Sequence, residues 1–259
     1  MSTPTSDMQF EETAIERLEI NKVDRNAPLQ WLSSGFSDFK RAPALSLLYG
    51  LLFASLTAGA FLLVMNVPWY SVAYLTGLVV MGPFMASGLY AASRDMQHGR
   101  AASIDNSLRL LVKRSTNLAL FATLLALVMA AWVRISALLF AVKFSTLHPT
   151  IEAYTSLFSS AEGWITLSYF VGIGFLLATS VFVISAVAIP AILDKDADFI
   201  TAMQTSYRAV TSNPGAMAFW AVMIVAMTVI GVMTAFVGLV VLFPILGYAT
   251  WHSYRSLVK

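Results

Sequence analysis

At 259 residues, with 58% hydrophobic and 12% charged side chains, the chain lies outside the composition of a soluble domain, which runs near about 45–50% and about 25%. Its formal net charge of +2 and the lack of any basic, aromatic-rich stripe argue against nucleic acid as a partner. It has no cysteine, which excludes disulfides, thiolate metal sites, a cysteine nucleophile and thiolate-held iron–sulfur clusters.

The first 43 residues carry five basic and seven acidic side chains. They show neither a short apolar region nor a small-residue cleavage site, so the first apolar helix is expected to insert and stay. Residues 1–24 are polar without a sustained period and are predicted to form a flexible tail. Residues 25–259 then form one membrane domain. Leu29, Leu32, Phe36 and Phe39 step by helical intervals ahead of Lys40 and Arg41. An amphipathic helix ending in cations suits a membrane surface.

From Ala44 to Ala92 there is no charge over 49 residues. That is room for two crossings of about 20 residues each. The first is predicted at about 44–65 and the second at about 70–92, with Asn66-Val67-Pro68 as the turn and Trp69 and Tyr70 at an aromatic belt. Ser93–Ser115 is polar and holds Arg94, Arg100, Arg109, Lys113 and Arg114, with Leu108, Leu111 and Val112 on one helical face. A third crossing follows at about 117–137. After a polar connection comes the fourth, at about 164–193, long enough to tilt.

Asp194–Asn213 is polar, with Met203, Tyr207 and Val210 on one face. Beyond Pro214 a stretch of 40 residues to Tyr254 has neither acid nor base. Read as two helices it gives crossings five and six, at about 216–236 and 238–254. Read as one it is too long to stand upright in a hydrocarbon layer of about 30 Å. Lys and Arg are abundant before the first crossing and in Ser93–Ser115, and absent from the first and last turns between crossings. Positive-inside bias then puts both termini in the cytoplasm, which requires an even number of crossings. The fold expected is therefore all-α: a polytopic bundle of six transmembrane helices arranged as three hairpins, with short amphipathic helices on the cytoplasmic side.

One phrase occurs twice. GLVVMGPFMASGLYAASR ends at Arg94 and GLVVLFPILGYATWHSYR ends at Arg255. In both, a proline (Pro83, Pro244) precedes the arginine by 11 residues. Each is the second helix of its hairpin, and the unit of surface helix, crossing, crossing is written three times with falling fidelity. Close helix packing accounts for much of the small-residue content, as do Gly50, Ala54 and Ala58 in the first crossing.

Arg134 is the one charge in an apolar setting. It is a candidate anion-binding or pore-lining cation, or it snorkels to the outer interface beside Trp132. Counting residues from Ser115 favours snorkelling, with Glu152 or Glu162 as partner. A pocket between hairpins is placed near Pro83, Tyr90, Pro244 and Trp251. Tyr248 and His252 share a face, read as a hydrogen-bonded pair before a ligand site. Asp194, Asp196 and Asp198 are weak metal candidates, because the glycine and terminal glutamate of a calcium loop are missing. Asp198 reads better as a helix cap. No catalytic constellation and no cofactor motif is present, and no acid lies at membrane depth to couple transport to ions.

The segments APLQWLSSGFSDFKRAPALSLLYGLLFA, MGPFMASGLYAASRDMQHG, RISALLFA, PAILDKDADFITAMQTSYRAVTSNPGAM and FPILGYATWHSYRSLV resemble a family of predicted bacterial integral membrane proteins of unknown function. The resemblance implies six crossings in the inner membrane and supplies no activity. Some relatives are labelled as cytochrome c oxidase subunit I, but a haem–copper centre needs about six imidazoles and the chain has 3 His. The role expected is a non-enzymatic scaffold, or an interaction or lipid-binding protein. Its partners would be membrane lipids and a membrane protein or a second copy of itself. The alternatives are a channel or transporter for a small solute or lipid, and a subunit of a respiratory complex.

Overall fold

The computed structural model describes residues 18–66, 71–143 and 161–259. Among them the chain forms ten α-helices. In order they are α1 (Ala27–Arg41), α2 (Pro43–Asn66), α3 (Ser71–Gln97), α4 (Ile104–Lys113), α5 (Ser115–Lys143), α6 (Ala161–Ser185), α7 (Ala188–Lys195), α8 (Phe199–Ser212), α9 (Pro214–Met233) and α10 (Leu239–Leu257). No strand forms among the described residues, where a β-bridge joins Ile20 to Val258.

The order repeats. A short helix (α1, α4, α8) is followed after one residue (Ala42, Arg114, Asn213) by a long helix (α2, α5, α9), and then by a second helical segment (α3, α6 with α7, α10). Proline begins α2 and α9, where its missing N–H costs nothing and its φ suits the first turn. By length and composition four segments can cross a membrane: Pro43–Leu62, Ser115–Ile135, Val171–Lys195 and Pro214–Met233. α5 runs on through Arg134 without interruption to Lys143.

The fourth apolar run differs from the single helix expected over 164–193. It stops at Ser185 and restarts at Ala188. Pro190 is the reason, since it cannot donate to the carbonyl one turn back and its ring clashes there. Ser206 of α8 repairs the break: its Oγ accepts from Val187 N at 3.4 Å and donates to Val183 O at 2.8 Å. Between α9 and α10 the chain reverses through Ala235 and Phe236, both left-handed (φ 52° and 68°). Thr234 Oγ1 secures the turn by accepting from Gly238 N at 2.8 Å.

α10 sits at the centre, against α1, α2, α3, α7 and α9. Close approach is possible because of glycine. A Cβ on Gly50 of α2 would strike the backbone carbonyl of Val240, and one on Gly247 would lie 2.7 Å from Leu89 Cδ1. Phe53 stacks on Phe243 at 3.9 Å, and Trp31 meets Trp220 edge-on at 5.8 Å. The predicted flexible tail falls mostly on residues outside those described. Within it, Glu19 O accepts from Lys259 N at 3.1 Å, and Asn21 N donates to Leu257 O at 2.8 Å. The first described residues therefore lie beside the last.

The three short helices share an unusual polarity. α1 turns Ala27, Trp31, Gly35 and Asp38 inward and leaves Leu29 and Phe36 exposed. α4 buries Ser107 and exposes Ile104, Leu108 and Val112. α8 buries Thr201, Ala202, Thr205, Ser206 and Ala209 and exposes Ile200 and Tyr207. In water the bulky apolar residues would be turned to the core; here the fully buried positions of α4 and α8 are small or polar, α1 adds Trp31 to them, and several large apolar residues stay outside.

Candidate functional site at the polar end of the bundle

The helices meet in a set of ion pairs and hydrogen bonds built where α3, α7 and α10 end. Asp194, next to the end of α7, is at the centre. Its Oδ1 accepts from Arg94 Nε at 3.2 Å. Its Oδ2 accepts from Arg255 NH1 at 3.2 Å and from Tyr254 Oη at 3.0 Å. The carboxylate is nearly buried and the arginines are one quarter and nearly half exposed (10%, 25% and 44%), so the charge on Asp194 is met on both oxygens. Arg94 and Arg255 are the last residues of the two copies of the repeated phrase. They lie in the final turns of α3 and α10, where cations also complement the helix dipole. The repetition thus delivers one arginine from each side onto one carboxylate of the middle unit.

A second set lies on α1. Asp38 is buried and its Oδ2 accepts from Ser93 Oγ at 2.5 Å. The same oxygen is 2.8 Å from His252 Nε2, and His252 Nδ1 is 3.4 Å from Gln97 Nε2. Serine, histidine and aspartate are thus gathered, but not as a nucleophile relay. A relay needs the hydroxyl to give its proton to the imidazole, whereas Ser93 and His252 both address the carboxylate. The arrangement ties α1, α3 and α10 together.

Around these sets, Arg100 holds Asp95 at 2.7 Å and Arg114 pairs with Asp196. Ser107 Oγ of α4 donates to Gly88 O of α3 at 3.2 Å. Asp198 caps α8, accepting from Ile200 N at 2.9 Å and Thr201 N at 3.0 Å. Burial acts to raise the Asp198 carboxyl. The Thr201 side chain and these backbone N–H groups outweigh it and hold the group below its ordinary range.

The residues singled out from sequence are distributed unevenly. Tyr90, Pro244, Tyr248 and Trp251 are buried, and Pro83 inside α3 is half-buried. Trp251 and Tyr248 thus belong to the packed interior where α10 meets its neighbours. Tyr248 and His252 do not pair with each other. Tyr248 Oη is 3.0 Å from Ser46 Oγ while His252 turns to Asp38. Asp194, Asp196 and Asp198 take three different partners, and no group of three His, Asp or Glu among the described residues converges as a metal site. Arg134 is exposed on α5. Of its expected partners, Glu152 and the side chain of Glu162 fall outside what the structure describes.

Sequence reading missed Asp38 and Ser206. The signal for Asp38 was its place on the Ala27–Trp31–Gly35 stripe, at helical spacing from residues that need close contact. Ser206 has no such signal, because its role depends on a break elsewhere in the chain.

Residues 71–194 match the model of a family described as "Predicted integral membrane protein (DUF2189)". The matched segment runs from α3 to Asp194, and with the apolar helices it makes this an integral membrane protein. No curated protein matches the chain, and no solved structure does.

Proposed function

We propose that the chain is a six-crossing, non-enzymatic membrane scaffold that organises lipid and protein partners at its basic surface. Its crossings are α2, α3, α5, α6, α9 and α10, paired as three hairpins. The observation that carries this reading is that α1, α4 and α8 each leave bulky apolar residues exposed: Leu29 and Phe36, Ile104, Leu108 and Val112, and Ile200 and Tyr207. Such helices are stable at an interface, with apolar side chains in the acyl boundary and small residues against the crossings. The contact of Glu19 with Lys259 supports an even number of crossings. The abundance of Lys and Arg along α1, α3–α5 and the C-terminus supports a cytoplasmic side for that face in an inner membrane.

Against a transport role stands the way the polar groups of the bundle are used. Asp38, Asp95, Asp194 and Asp196 are each engaged by side chains, and Trp220, Tyr248, Trp251 and Tyr254 fill the packed end. The purified protein is reconstituted into vesicles and the release of small anions, cations and neutral solutes is timed. Rates equal to those of protein-free vesicles are expected. Flux of any solute above that level replaces the scaffold with a channel, and a visible-band chromophore after gentle purification replaces it with a respiratory subunit.

A further inference from the structure

Between the start of α2 and the turn from α3 to α4 lies an open cleft of ≈ 480 Å³. Arg41 and Arg100 stand on its rim, and Pro43, Leu45, Met96 and Ala102 give it an apolar wall. A neighbouring cleft of ≈ 300 Å³ shares Arg100 and adds Arg94, Arg109 and Lys113 against one acid, Asp95. Both rim arginines are more than half exposed. Arg41 reaches Asp38 only at 3.9 Å, and Arg100 holds Asp95 through one nitrogen at 2.7 Å. A guanidinium has five N–H donors, so both retain donors for another anion.

The cleft continues into an apolar track. Ala44 lines it, and Leu48 and Leu51, at helical spacing along the same face of α2, are exposed. A cationic rim above a continuous apolar face matches one chemistry, a phosphodiester carrying acyl chains.

We propose that this cleft seats the headgroup of an anionic phospholipid, with its phosphate on Arg41 and Arg100 and an acyl chain along Ala44, Leu48 and Leu51. The inference rests on the reading of α2 as a membrane crossing.

The full chain in mild non-ionic detergent is titrated with short-chain phosphatidylglycerol, short-chain phosphatidylcholine and inorganic phosphate while its thermal midpoint is followed. A ligand of the native state raises the midpoint with concentration. Phosphatidylglycerol is expected to raise it saturably, and the other two are not. Arg41→Gln and Arg100→Gln each shift the half-maximal lipid concentration upward by about tenfold, as loss of a charge-assisted contact does. Leu48→Asn shifts it less, and Lys22→Gln, which lines neither cleft, leaves it unchanged. Should Arg100→Gln fail to fold because Asp95 loses its partner, Arg41→Gln carries the test. An unshifted curve for Arg41→Gln, or no response to phosphatidylglycerol, overturns the site. An equal response to inorganic phosphate makes it a free-anion site and overturns the lipid assignment. Solute flux would overturn the scaffold and leave this curve as it is; a flat curve in a flux-free protein would remove the lipid site alone.

Discussion

The first and third units of the chain are joined to each other differently from the way the middle unit is joined to both. α2 brings Gly50 against the backbone of Val240 in α10, and α3 seats the Leu89 side chain on Gly247, with Phe53 stacked on Phe243. The middle unit contributes apolar side chains too, among them Phe121, Leu125 and Ile192, but its attachment adds named polar contacts. These are Asp194 to two arginines, Ser107 to Gly88 and Ser206 to the broken strip of backbone at Val187. In lipid, apolar surface alone gives no force between helices, and close approach or hydrogen bonding must supply it. The flanking units combine close approach with the Asp38–His252 and Ser46–Tyr248 contacts, and the middle unit is tied to both by the charge on Asp194.

Removing the carboxylate charge that links all three units is expected to have the largest effect. Asp194→Asn leaves Arg94 and Arg255 facing each other without a countercharge, and a loss of about 3 kcal/mol is expected in chemical unfolding from detergent micelles. A variant as stable as the parent would mean that the Asp194 ion pairs contribute nothing to holding the middle unit. The flanking junction breaks by the opposite means. Gly50→Ala places a methyl against a backbone carbonyl that cannot swing aside, costing about 2 kcal/mol. Gly59→Ala, where nothing lies within 4 Å, is expected to be neutral or slightly stabilising by the same measurement.

Ser206→Ala separates the role of the proline break from that of apolar contact. It strips Val187 N and Val183 O of a partner, and about 1–2 kcal/mol is expected, with faster hydrogen exchange at Val187. The smallest loss of stability belongs to Asp198→Ala, at about 1 kcal/mol for a lost cap. Its pH dependence has a fixed sign. The folded carboxyl titrates below its ordinary value, so its stabilisation is present above the unfolded pKa of about 3.9. It is lost as pH falls through the lower folded value. The parent should therefore converge on Asp198→Ala in strongly acidic detergent solution and exceed it near neutrality.

The long helices were legible as apolar runs that follow Pro43 and Pro214, with charge at the outer ends of each uncharged stretch and turn residues dividing it. The Asp198 cap was legible from its place before the α8 pattern. The doubled phrase announced two equivalent helices, though not that its arginines meet on Asp194, since the acid comes from the unit that matches the other two least. The break after Ser185 was obscured for a different reason. Hydropathy treats lipid and protein interior alike, so Val171–Lys195 reads as one apolar run although Ala188–Leu193 is wrapped in protein. The α1 stripe expected at a membrane surface, Leu29, Leu32, Phe36 and Phe39, is split: Leu29 and Phe36 are exposed, while Leu32 and Phe39 pack partly against the core.

The central claim is that α1, α4 and α8 lie on one membrane face, each followed by a pair of crossings. Because the chain has no cysteine, single cysteines report on it directly. Ser33→Cys, Asn106→Cys and Gln204→Cys are compared with Val237→Cys in the α9–α10 turn, using a thiol reagent that cannot cross the membrane. The first three should be labelled only when the cytoplasmic face is open to the reagent, and Val237→Cys only from the opposite face. A surface helix labelled from the opposite face to the other two, or Val237→Cys labelled together with them, would contradict the account.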